Sequence, residues 1–69
     1  MTIEFVSQRL QVGDVVLVDL PGEGEIEATV VRDIERTLDS VRVTLRIEGR
    51  DDFVHEWPLG EMVAVVRGP

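Results

Sequence analysis

Val41-Arg42-Val43-Thr44-Leu45-Arg46-Ile47-Glu48 alternates apolar and polar side chains without a break and stops at Gly49-Arg50-Asp51-Asp52. A side-chain period of two belongs to a strand with one face on a core and the other in water. The stretch predicts a strand that buries Val41, Val43, Leu45 and Ile47, and it sets the class of the fold as mainly β.

Working outward, Ile26, Ala28 and Val30 alternate with Glu27, Thr29 and Val31, which predicts a preceding strand running on toward Ile34. Phe53, His55 and Trp57 mark one face of a following strand that stops at Pro58-Leu59-Gly60, and Met62 to Val66 make another. Val12-Gly13-Asp14 opens a Val-rich strand that ends at Pro21-Gly22, a pair suited to the centre of a type II turn. Five strands result. Between Arg32 and Ser40 two arrangements fit. One is a hairpin with its loop around Arg36-Thr37-Leu38-Asp39; the other is one short helical turn, since Val31, Ile34, Leu38, Val41 and Leu45 also keep helical spacing. The lack of an N-cap and the β-branched residues on both sides favour the hairpin.

Composition agrees with strands. Valine, isoleucine and threonine supply 21 of 69 residues and alanine only two. A chain this short forms one domain with a thin core, and with no cysteine it has neither disulfide nor thiolate zinc site to reinforce it. Fourteen carboxylates against seven arginines leave a net charge of -7, which opposes nucleic-acid binding. No apolar run approaches the length of a membrane helix, and the N-terminus lacks a basic region followed by a long apolar stretch. A soluble, cytoplasmic protein is expected.

Val12-Gly13-Asp14 before a Val-rich strand resembles the start of Tudor-like and KOW-like barrels. The run from Gly49 through Trp57-Pro58-Leu59-Gly60 into Met62 to Val66 is similar to the close of a family of small bacterial SH3-like proteins of unknown function. The resemblance implies a single five-stranded SH3-like barrel over residues 12–67, with residues 1–11 as an N-terminal segment packing on it. It implies no activity.

One strand of that barrel poses a packing problem. If Val16, Val18 and Leu20 face the core, Val15 and Leu17 point the other way. Either Ile3-Glu4-Phe5-Val6 folds over them or they lie open as a face that pairs two copies, and the first is the expectation because a short chain can rarely spare three large apolar side chains.

Candidates for chemistry are few. His55-Glu56 begins like a zinc-protease motif, but Leu59 stands where the second histidine must be and Pro58 breaks the helix it needs. His55 is the only imidazole, and Ser7 and Ser40 are the only serines. Glu48, Asp51 and Asp52 lack the spacing of an EF-hand loop and read as a solvated turn. Pro21-Gly22-Glu23-Gly24-Glu25 is glycine-rich, yet its two glutamates repel phosphate. A methyl-lysine cage needs more aromatic walls than Phe5, Phe53 and Trp57 provide, so Phe53 is expected in the core and Trp57 part-exposed at the rim.

Arg42, Arg46 and Arg50 fall along one outward face and form a possible basic stripe, with Glu27, Asp33 and Glu35 on the preceding strand expected to pair with them. An RNA-binding ring of Sm type shares the strand count but is opposed by the charge. The leading expectation is a non-enzymatic protein-interaction module without metal or cofactor, contacting a partner or a second copy through Val15, Leu17 and Trp57. The alternatives are an acidic protein that occupies the basic surface of a nucleic-acid-binding protein, and a weak RNA or DNA binder using the three arginines. No small-molecule substrate is evident.

Overall fold

The computed structural model describes residues 1–67, which form a curled antiparallel sheet with no α-helix. Seven strands are present: β1 (Thr2–Val6), β2 (Val15–Leu20), β3 (Gly24–Val30), β4 (Glu35–Arg36), β5 (Ser40–Arg46), β6 (Phe53–Pro58) and β7 (Met62–Val66). They lie in the order β1-β7-β2-β3-β5-β4, with β6 on the other side of β5.

The alternating stretch holds the centre. Val41, Val43 and Leu45 have no exposed surface, Ile47 just beyond β5 is buried too, and Arg42 and Arg46 face water. On one side β5 meets Thr29 and Val30 of β3, and on the other it pairs with all of β6, so that Val41 stands opposite Trp57, Val43 opposite His55 and Leu45 opposite Phe53. Cross-strand partners share a face of the sheet, which is why one alternation propagates into its neighbours.

Turn chemistry sets the first hairpin. Gly22 takes φ 77°, a conformation costly for a side chain with Cβ, and the Glu23 amide donates to the Leu20 carbonyl at 3.0 Å. Thus Pro21-Gly22 forms the centre of the expected type II turn.

Residues 32–40 adopt the hairpin arrangement, not the helical turn: Glu35 and Arg36 pair with Arg42 and Val41, and the Thr37 amide donates to the Ser40 carbonyl. The second strand does not run through to this hairpin. Between the β3 and β4 ladders four residues, Val31 to Ile34, stand opposite only Val43 and Thr44, so the chain bulges and bends there.

The count of five strands is corrected at two places, β4 and β1. Residues Thr2–Val6 do not fold over Val15 and Leu17; they pair with β7 from Thr2 opposite Val66 to Val6 opposite Met62, as an edge strand of the same sheet. The reason is packing on the inner side. Ile3 and Phe5 lie beside Val65 and Val63, both buried, and extend the core they line. A short 3-10 turn, Ser7–Arg9, then carries the chain toward the buried Leu10. Ser7 is fully buried, and its hydroxyl donates to the Pro58 carbonyl at 3.0 Å while its amide donates to that of Glu61, tying this turn to the β6–β7 connection. Among the described residues no ladder joins β1 to β6, so the sheet curls as a half-barrel without a closing seam.

Candidate interaction surface

Alternation and register divide the sheet into an inner and an outer side, and the outer side of β1, β7, β2 and β3 carries an apolar strip. Val15 of β2 pairs directly with Val66 of β7, and both are half-buried. Leu17, two residues along β2, and Ala64, two residues back along β7, point the same way and are also half-buried. Val6 and Met62, themselves a cross-strand pair, lie farther along the same side, where Met62 is exposed. With β1 lying beside β7, no other described strand packs over Val15, Leu17, Ala64 and Val66, while Arg9, Gln11 and Asp14 of the β1–β2 connection share a cleft with Val6 and Met62.

The strip has an acidic border. Glu4 stands opposite Ala64 on one flank, and Glu27 and Glu25 stand opposite Leu17 and Asp19 on the other. All four carboxylates, Glu4, Asp19, Glu25 and Glu27, are exposed, and none belongs to an ion pair among the described residues. Arg9 of the 3-10 turn and Arg67, just beyond β7, line a cleft with Glu4, neither of them in an ion pair with it. On the other flank Arg46, opposite Thr29, is held by Asp52 through Nε to Oδ1 at 2.8 Å and Nη2 to Oδ2 at 3.0 Å.

The other expected site residues are placed differently. Trp57 is 7% exposed, not part-exposed at the rim, because its register opposite the fully buried Val41 turns the indole inward; His55 packs edge-on against it at 4.5 Å. Phe53, expected in the core, is half-buried like His55 on the same face and packs against the core.

The arginines do not pair with Glu27, Asp33 or Glu35. Arg42 bonds Glu56 at 3.0 Å and Arg46 bonds Asp52, both carboxylates coming from the following strand or the turn before it, while Arg50 forms a two-pronged pair with Glu23 of the β2–β3 turn. The hydrogen bond from each guanidinium holds Glu23, Asp52 and Glu56 below their ordinary carboxylate values, with Ser40 assisting at Glu56. Each cation of the stripe is therefore neutralised locally.

Other concavities are shallow. A cleft of about 520 Å³ between Phe5, Arg9, Asp14 and Arg67 balances two cations against Glu4 and Asp14, with the Arg67 guanidinium 4.9 Å from the centre of the Phe5 ring. A second, beside the 98% exposed Leu38 at the β4–β5 tip, includes an edge of Trp57 and Pro58. No cluster of three metal-ligating side chains occurs among the described residues, and no hydrogen bond joins Ser7 or Ser40 to His55. No described helix is long and apolar enough to cross a membrane.

Sequence reasoning named Val15 and Leu17 but missed Ala64, Val66, Val6 and Met62, which join them only through long-range pairing. Val63 and Val65 were the signal available: placing them in the core turns Ala64 and Val66 outward. No family model, curated protein or solved structure matches the chain.

Proposed function

We propose that this chain is a small acidic, non-enzymatic interaction module of SH3-like build, whose outer sheet face engages a protein partner. One observation carries the reading: Val15, Leu17, Ala64 and Val66 lie side by side, half-buried, on a face over which no other described strand packs. Contiguous apolar surface of this kind is a common mark of association sites. Trp57 of β6, buried opposite Val41, is not part of this face. A reducing compartment such as the cytoplasm suits a chain without cysteine.

The arginine route to RNA or DNA has less support, because Arg42, Arg46 and Arg50 each already hold a carboxylate. Affinity capture with the wild type and with Val15→Asp and Leu17→Asp, each checked for a retained β-type circular dichroism spectrum, tests the proposal. Folded variants are expected to lose partners that the wild type retains. If both folded variants keep the same partners, the face is not the site.

A further inference from the structure

We infer that the occupant of the outer face is a basic amphipathic helix, an inference that rests on the docking role proposed above and adds its chemistry. The strip runs along β7 and β2, with Glu4 on the strand to one side and Glu27 on the strand to the other. Three strand spacings separate those flanking strands, about 14 Å. A helix with its side chains is about 10–12 Å across. Laid along the strip, it seats an apolar stripe on Leu17 and its neighbours and brings cations on both of its flanks to unpaired carboxylates.

Charge selects this occupant over others. A second copy stacked face to face would set Glu4, Asp19, Glu25 and Glu27, none of them in an ion pair among the described residues, against the same four carboxylates, and like charges so placed disfavour the pairing. Nucleic acid and anionic lipid surfaces are repelled by the same border. An acidic or neutral apolar helix would cover the strip but leave the carboxylates facing no cation.

The test uses a fluorescein-labelled synthetic peptide of about 14 residues, ~20 Å of helix, with leucines at helical i, i+3, i+4 and i+7 spacing and lysines elsewhere. Two controls are a scrambled peptide of the same composition and a version with glutamate for lysine. Anisotropy titrations are expected to show binding of the patterned basic peptide, about tenfold weaker binding of the scrambled one, and steep weakening with salt.

Glu4→Lys with Glu27→Lys is expected to weaken binding more than Glu35→Lys with Glu48→Lys, which alters net charge equally away from the face. These exposed substitutions do not depend on tolerance of a change at Leu17. Equal binding of patterned and scrambled peptides, or equal effects of the two double variants, would overturn the inference by showing attraction to net charge alone. So would a sedimentation result in which the free protein is a dimer that Leu17→Ser dissolves. If the basic peptide fails to bind while Leu17→Asp still abolishes partner capture, the helix chemistry is wrong and the docking face stands.

Discussion

Leu45 has no exposed surface and sits where β5 is paired with β3 on one side and β6 on the other. Truncation there leaves a cavity in a core made mostly of valine, and Leu45→Ala is expected to cost about 2–5 kcal/mol, enough to threaten so small a domain. Urea melts check this; a loss under about 1 kcal/mol would place the side chain outside the packed layer. The exposed ion pairs act more weakly and depend on pH. Glu23, Asp52 and Glu56 titrate lower folded than unfolded, so their stabilisation is fully present above the ordinary carboxylate range, near about pH 4, and is lost as pH falls through the lowered values. In thermal melts the wild type is expected to lose more on acidification than the Glu23→Gln, Asp52→Asn, Glu56→Gln triple variant, and the difference should shrink in high salt. Identical acid profiles would show that these pairs form without stabilising the fold.

β1 joins residues at opposite ends of the chain, and its contribution follows from what it covers. Deleting residues 1–6 removes Ile3 and Phe5 from the core and leaves the edge of β7 unpaired. Such an edge is a template for association, so the truncated protein is expected to melt lower and to sediment as larger species than the full chain. An unchanged melting point would mean that β1 is dispensable. β5 was legible in the sequence because its alternation is local: each buried residue is followed by an exposed or half-buried polar one. The membership of β1 was not legible, since Ile3-Glu4-Phe5-Val6 fits a cover as well as an edge strand until β7 is known to be its partner. Register also explains the reassigned ion pairs. A polar face records that Arg42 and Arg46 point outward, but Glu56 and Asp52 become their partners only through the β5–β6 pairing.

At the scale of the whole molecule, charge is segregated. Three of the seven arginines are committed to carboxylates on β6, the β5–β6 turn and the β2–β3 turn, whereas the outer side of β1, β7, β2 and β3 has four carboxylates outside any ion pair and an apolar strip. Val15 and Leu17 were readable as part of that strip because β2 is too apolar for a strand with one wet face. Trp57 was misplaced because aromatic size alone does not distinguish a rim from a core position, and the pairing with Val41 decides it. The most direct test of the docking face is a map of backbone amide chemical shifts in the isotope-labelled full chain as the basic amphipathic peptide is added. The account predicts shifts concentrated on Val15, Leu17, Glu27, Glu4, Ala64 and Val66, with β6 and the β4–β5 tip little changed; shifts centred on Leu38 and Pro58, or spread evenly over the acidic surface, would contradict it.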